Sequence, residues 1–299
     1  HLSYKEINDK WQKSGLSYGD GDDLPLRTFH NHRKAIQDIF NIIIELDPDV
    51  KGYKYHIMNP RELEGDNFRS WLIDSYATLN QIQADSKLKD RIEFEKIPSG
   101  NTWLTLFMQA IRENKVVEIT HQGFGKDYAN TFEIEPYCLK VVKRRWYIIA
   151  NNPYYVWLNK KHKGEEGYSP RKEIRVYGLD RISEASILDK TFVMSKNFDV
   201  KKFYKGCTGI IPSDDPIEHV VLRAYWNAPD YLRTLPLHES QKELQSDEES
   251  TTFSYDVKLT YDFMQLIMQQ GDQVEILEPK KLRNQMRNLA KNLTSYYNE

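Results

Sequence analysis

Residues 144–150 read RRWYIIA and residues 173–187 read EIRVYGLDRISEASI, and these two stretches decide the architecture of the chain. Both are dense in β-branched and aromatic residues, which suit a pleated, half-buried surface. Toward the N-terminus, Val116 to His121 and Thr131 to Val142 have the same character, with short polar breaks between runs. The spacing predicts a small β-barrel across the middle of the chain. Side chains alternate across a strand, so Arg175, Tyr177, Leu179 and Arg181 share one face, whereas Arg144 and Trp146 oppose Arg145 and Tyr147. Trp146 and Ile148 read as packing residues. Arg145, Tyr147 and Arg181 read as ligand contacts, because guanidinium forks beside aromatic rings suit phosphates and stacked bases.

Beyond these strands the chain alternates strand (Val220 to Tyr225), strand (Thr252 to Leu259), helix (Tyr261 to Gln270), strand (Gln273 to Leu277) and a closing helix. Pro279 stands at that helix's start, and Leu282, Met286, Leu289 and Leu293 form its apolar seam, so a compact α+β unit is expected. At the other end, Ser3 and Glu6 have capping-box spacing, with Leu2 and Ile7 at the staple positions. Gly15 to Pro25 is predicted to be an exposed loop. A helix follows from Leu26 to Phe40, with Leu26, Phe29, Ile36 and Phe40 at helical spacing and Arg33 near that stripe, reaching for the surface. Ile42 to Leu46 and Tyr53 to Ile57 then read as a hairpin, which completes the order of a winged helix. Phe68, Trp71, Leu72, Ser75 and Leu79 mark a helix over 67–86, and Trp103 to Glu113 another, which together predict a helical connector.

At 299 residues, the chain exceeds the ~150 of an average domain, which predicts several domains. A hydrophobic share of 39% excludes disorder of the whole chain. Forty-two Lys and Arg against forty-four Asp and Glu leave a net charge of −2, so any nucleic-acid footprint must be local. The charge is unevenly spread: Leu139 to Arg175 carries ten bases against three acids, and Pro212 to Asp256 ten acids against three bases. Such surfaces permit charge-complementary contact. Cys138 and Cys207 stand apart, which excludes a disulfide scaffold and a Cys-rich zinc site and fits a reducing cytoplasm. No apolar run approaches the ~18 residues of a membrane span. His1 opens the chain without a basic-then-apolar leader, and is read as a trimmed start rather than a signal peptide.

Catalytic constellations fail on context. Gly15, Ser17 and Gly19 match a nucleophile elbow, but a helix precedes them where a strand is required. Asp20, Asp22 and Asp23 lack the rest of a calcium loop, and His30 and His32 lie on different helix faces, so no metal site is expected. Gly123 and Gly125 make only half a dinucleotide fingerprint, since Tyr128 stands at its third glycine. No cofactor and no enzymatic activity are expected. The helix from Leu26 to Phe40 is more informative, since Arg27, His30, Asn31 and Lys34 form a polar stripe with no acid before Asp38. Arg pairs with guanine, Asn with adenine and Lys with phosphate, while Lys51, Tyr53 and Lys54 of the hairpin lie on the backbone.

The whole pattern resembles a WYL-domain transcriptional regulator. Arg145-Trp146-Tyr147-Ile148 is similar to the naming motif with Ile for Leu, and Arg175 to Ile182 (RVYGLDRI) resembles the second signature. Arg27-Thr28 and Gly52-Tyr53 are similar to the family's N-terminal module. The resemblance implies a multidomain α+β chain: a winged helix-turn-helix over 1–59 lacking its first helix, a helical linker over 60–112, an Sm/SH3-like β-barrel over 113–192, and an α+β extension over 193–299. It implies a bacterial, cytoplasmic homodimer that binds double-stranded DNA through Arg27, Thr28, His30, Asn31, Lys34, Lys51, Tyr53 and Lys54. The barrel would sense an anionic effector, a nucleotide or single-stranded nucleic acid, through His121, Arg144, Arg145, Trp146, Tyr147, Arg175, Tyr177 and Arg181. Gly178 and His121 depart from the family, which has Arg and Tyr there. An insertion over 151–172 separates the signature strands, either an added contact surface or a long exposed hairpin. A rival expectation is an RNA or single-strand binder acting through the barrel.

Overall fold

The computed structural model describes residues 1–14, 22–47, 50, 52–60, 73, 75 and 100–297. The chain divides into two compact units, His1–Glu95 and Lys96–Glu299. The predicted nucleophile elbow, Asp20, Lys51 and most of the 67–86 helix lie outside the described residues.

In the first unit, strand β1 (Leu2–Ser3) leads into helix α1 (Tyr4–Lys13). The capping box forms as predicted: Ser3 Oγ accepts from the Glu6 amide, and the Glu6 carboxylate accepts from the Ser3 amide at 2.7 Å. Asn8 and Gln12 of α1 both donate to Asp23, and the Tyr4 hydroxyl donates to the Leu24 carbonyl, so the chain entering α2 (Leu26–Phe40) is tied to α1. Helix α2 buries Phe29 and Phe40 and ends at Asn41, whose left-handed φ of 53° turns the chain. Strands β2 (Ile44–Asp47) and β3 (Lys54–Ile57) pair antiparallel, and β1 joins them in the order β1-β3-β2. The expected strand start at Ile42 moves to Ile44 because Asn59 takes up the intervening backbone, accepting from the Ile43 amide and donating to the Asn41 carbonyl.

The second unit holds two sheets. Strands β4 (Lys115–His121), β5 (Asn130–Val142), β6 (Arg145–Asn151), β7 (Ile174–Gly178) and β8 (Ile182–Thr191) form an antiparallel sheet in the order β7-β6-β5-β4-β8. Strand β5 pairs with β4 through Asn130–Ile134 and with β6 through Glu135–Val142, and its register breaks beside Pro136, which lacks a ladder donor. The strands of the predicted β-barrel form this one sheet, whose edge strands β7 and β8 do not pair with each other. The single strand expected over 173–187 is corrected. One 3-10 turn, Leu179–Arg181, splits it so that Leu179 enters the core while Asp180 and Arg181 leave the ladder. Helix α3 (Leu104–Glu113) covers the sheet, pressing Phe107 and Ala110 onto Val117, Ile119, Ile134 and Ile148. Gly100 lets its start approach the turn, since a Cβ there would stand 2.6 Å from the Leu179 Cβ, and Trp103 Nε1 donates to the Ile182 carbonyl at 2.8 Å.

The insertion is not a hairpin. Asn152 caps helix α4 (Pro153–Lys161), whose first residue is a proline, the usual helix-opening signal. A short helix α5 (Val200–Phe203) leads to the second sheet, of β9 (Glu218–Tyr225), β10 (Lys242–Ser246), β11 (Ser250–Val257) and β12 (Val274–Glu278), ordered β10-β11-β9-β12. Helices α6 (Ala228–Thr234), α7 (Tyr261–Met268) and α8 (Lys280–Tyr297) complete it. Phe253 and Tyr255 of β11, Phe263 of α7 and Leu282 of α8 lie in its buried core. The sequence pattern missed α6 and β10: α6 spans only seven residues, and every residue of β10 is exposed. Among the described residues no helix is long and apolar enough to cross a membrane.

Candidate functional site

Two surfaces carry the predicted site residues. On α2, Arg27, His30, Asn31 and Lys34 are all exposed and Thr28 is half-buried, so the stripe expected from the sequence stands open. Among the described residues Arg27, Asn31 and Lys34 form no side-chain hydrogen bond or ion pair, while His30 faces Arg33 at 3.3 Å. Tyr53 is 76% exposed with φ at +51°, and Lys54 lies 4.0 Å from Glu6. The expectation for Arg33 is corrected. It does not reach outward but donates through Nε and Nη2 to the Ile44 carbonyl, and its guanidinium lies 4.9 Å over the Tyr55 ring. It ties α2 to the sheet. His32 packs at Trp11 rather than beside His30, as their spacing requires. His1, Asp47 and His56 bring three possible ligand atoms within 4.8 Å of one another, with His1 Nδ1 3.3 Å from the Asp47 carboxylate.

The second surface centres on the Leu179–Arg181 turn. Gly178 pairs with Tyr147 across the sheet, and a Cβ on Gly178 would meet Asp180 Oδ1 at 2.8 Å and Arg181 Nε at 3.2 Å. The missing side chain is therefore what lets Asp180 and Arg181 fold back over β7. Asp180 accepts an ion pair from Arg145 on β6, while the Arg181 guanidinium lies 4.1 Å over Phe124 in the loop between β4 and β5. That loop, Gln122 to Lys126, forms with Asp180 to Ser183 a cleft of about 450 Å³. His121 is buried beside it, edge-on to Tyr177 at 5.4 Å.

Four buried polar atoms here have no hydrogen-bond partner: His121 Nε2, Arg145 Nε, Asp180 Oδ1 and Arg181 Nε. Buried polar groups are nearly always satisfied, so four around one turn mark a place where a partner belongs. Their electrostatics agree. Burial, then the Arg181 charge, lowers the His121 pKa from 6.5 to about 4. Burial also lowers that of Arg181, with Asp180 opposing. A neutral imidazole and a partly desolvated guanidinium thus flank the cleft, beside the Asp180 carboxylate that Arg145 holds.

The predicted ligand residues divide. His121, Arg145 and Arg181 gather at the turn. Tyr147 and Tyr177 do lie there but are buried, with Tyr177 donating no bond to the cleft: its hydroxyl accepts from Asn152 Nδ2 at 3.0 Å. Trp146 packs against the core beneath α3, as its strand position implies. Arg175 lies 4.9 Å over Tyr155 of α4 and acts on His121 only through its field. Arg144 is exposed in the β5–β6 turn at φ +62°. The shared strand face of Arg175 and Arg181 is thus broken by the 3-10 turn. Phe124 and Asp180 were missed, although the glycines beside Phe124 and the acid within LDRI were the available signals.

Comparison with known proteins gives two domain matches. Residues 102–187 match the WYL domain and residues 216–294 the WCX domain. No curated protein matches the chain. Among solved structures, proteasome accessory factor B/C (PafBC) of Arthrobacter aurescens is similar at 15% identity and a TM-score of 0.26, over 69% of this chain and 29% of that one. A crystal structure of a CRISPR Cas-related protein is similar at 13% identity and a TM-score of 0.40, over 98% of this chain and 80% of that one. The chain thus spans 29% of the length of PafBC. The first domain match runs from just before α3 into β8 and contains both signature strands and the Asp180–Arg181 turn: residues 102–187 form a WYL domain and residues 216–294 a WCX domain.

Proposed function

We propose that the chain is a DNA-binding transcriptional regulator in which α2 reads operator DNA and the Asp180–Arg181 pocket takes an anionic ligand that sets the strength of that reading. In this proposal residues 1–59 act as a winged helix-turn-helix, 60–112 as a helical linker, 113–192 as the Sm/SH3-like sensor and 193–299 as the extension of a cytoplasmic homodimer. The observation that carries it is the group of four unpartnered buried atoms at the pocket. On α2, the supporting observation is an exposed Arg27, Asn31 and Lys34 without side-chain partners among the described residues. A ligand alters DNA binding only if it favours one arrangement of the protein over another, so ligand and operator must show reciprocal coupling.

The test is duplex binding by the full chain against salt, with and without a short single-stranded oligonucleotide or a nucleotide. Arg27→Ala with Lys34→Ala is expected to abolish most duplex affinity, and unchanged affinity removes the DNA assignment. Arg181→Ala with Phe124→Ala is expected to abolish ligand binding and the coupling, and full retention places the ligand elsewhere. A second reading, a single-strand binder acting through this pocket, is favoured by one feature: Phe124 is 79% exposed with Arg181 stacked on it, a platform for a base. Single-strand affinity exceeding duplex affinity selects it.

A further inference from the structure

The regulator proposed above makes no use of the insertion over 151–172. The structure shows what that insertion builds. Asn159 of α4 makes four hydrogen bonds: Oδ1 accepts from the Tyr168 hydroxyl at 2.7 Å and the Arg171 amide at 2.8 Å, and Nδ2 donates to the Arg171 carbonyl at 2.8 Å and Glu173 Oε1 at 3.0 Å. This saturates the amide, and clamps the backbone of Arg171 on both sides. His162 stacks on Tyr168 at 5.2 Å and pairs with Glu165 at 2.7 Å, which fixes the rest of the loop. An insertion tied down this thoroughly is a wall, not a slack connection.

The wall forms one side of an open cleft of about 660 Å³, within the ~300–1,000 Å³ range of small-molecule sites. Ile174 lines it, at the opposite end of β7 from Gly178, so it is distinct from the Asp180–Arg181 pocket. Four cationic side chains reach it: Arg171 and Lys172 from the insertion, Lys202 of α5, and Lys258 after β11. Two carboxylates face them. Glu173 is held by Asn159, and Asp214 pairs with Lys172 at 2.9 Å, an exposed pair that a competing anion displaces at little cost. A third acid, Asp199, caps α5 beside Lys202 by accepting from the Lys202 amide at 3.0 Å. Lys258 donates to the Ser213 carbonyl at 2.5 Å. The side chains of Arg171 and Lys202 form no hydrogen bond or ion pair among the described residues. Phe203, with Pro170 and Pro212, gives the cleft a flat apolar wall.

Two cations without an internal partner, on separate segments of one cleft, suit an anion that joins them, and an aromatic residue in the lining suits a ring. We propose that this cleft binds a nucleoside polyphosphate, its phosphates on Arg171, Lys172 and Lys202 and its base against Phe203. Asp214 is then the internal competitor that holds Lys172 until the phosphates arrive.

Calorimetric titration of the full chain with ATP, GTP, adenosine and inorganic tripolyphosphate tests this. A nucleoside triphosphate is expected to bind, tripolyphosphate more weakly and adenosine not at all. Arg171→Ala with Lys202→Ala, both exposed, is expected to weaken binding by at least about tenfold, from the loss of two charge-assisted contacts. Asp214→Asn is expected to tighten it by about threefold by freeing Lys172. The same titrations on Arg181→Ala remove any contribution of the Asp180–Arg181 pocket, and binding at this cleft is expected to persist there. Wild-type affinity in the Arg171/Lys202 variant, no gain in Asp214→Asn, tripolyphosphate binding as tight as either nucleotide, or no nucleotide binding overturns the proposal. Loss only in Arg181→Ala also overturns it, by moving the ligand to the other pocket, and leaves the regulator reading standing.

Discussion

Protonation of His121 offers a quantitative handle on the ligand pocket. The imidazole is 8% exposed and held neutral, first by burial and then by the Arg181 charge, with Asp180 opposing and Arg175 adding a small contribution. Its pKa falls from 6.5 to about 4. In the unfolded chain the ring takes up a proton as pH drops through 6.5, while in the native protein it resists until about 4. Between those values the unfolded state binds more protons, so stability falls with falling pH. The stabilisation is intact above pH 6.5 and gone below 4. At about 1.4 kcal/mol per pKa unit, the whole displacement is worth about 3 kcal/mol, of which about 2 kcal/mol is lost by pH 5. Denaturant unfolding of the wild type and His121→Gln at pH 7.5 and pH 5 isolates it, because acids elsewhere titrate in both proteins and cancel. The wild type is expected to lose about 2 kcal/mol more than the variant. Parallel losses, or an NMR titration placing the His121 midpoint near its ordinary value, refute the reasoning. An anion seated on Arg181 removes that opposing field, so ligand binding near pH 5 is expected to take up a proton, visible as a buffer-dependent binding enthalpy.

Other expectations concern single contacts. Arg145→Ala leaves the mostly buried Asp180 carboxylate without its cation and is expected to destabilise by roughly 1–3 kcal/mol in chemical unfolding; pairing it with Asp180→Asn restores part of the loss. Phe107 is fully buried beneath α3, and Phe107→Ala is expected to lower stability by about 3–5 kcal/mol. Arg33→Ala removes both donors to the Ile44 carbonyl and the ring contact, and is expected to raise amide exchange in β2 before it changes any DNA contact. For duplex binding, Arg27→Ala with Lys34→Ala is expected to reduce the slope of log affinity against log salt by about 1.8 if both side chains neutralise phosphates. An unaltered slope shows that neither does.

The two halves of the proposed regulator differ in how they are supported. On the α2 stripe Arg27, Asn31 and Lys34 are exposed and without side-chain partners among the described residues, which is what a surface awaiting a polyanion requires and also what a solvated helix face shows; salt dependence separates the two. The pocket stands on unsatisfied buried atoms, which a solvated face does not have. Among its cations, Arg145 is already neutralised by Asp180 and His121 is held neutral, so in the proposed reading Arg181 is the charge that a ligand would meet.

Much of the local structure follows from the amino-acid sequence by itself, because it depends on neighbours a few residues apart. The Ser3–Glu6 box, the α2 face with Phe29 and Phe40 inward, most strands of the two large sheets, though neither β10 nor the break between β7 and β8, and the core role of Ile148 come from capping chemistry and periodicity. The Pro153 helix start was equally local, yet the composition of the insertion hid it. What tertiary structure alone decided are contacts between segments far apart in the chain. Leu179 is drawn into the core beneath Gly100, which breaks a continuous alternation and turns Arg181 away from Arg175. Arg33 turns inward because the Ile44 carbonyl lies within reach across the unit. Asp180, Phe124 and Lys202 gain their meaning from partners that periodicity cannot locate, since alternation records which face a side chain takes and not what stands opposite it.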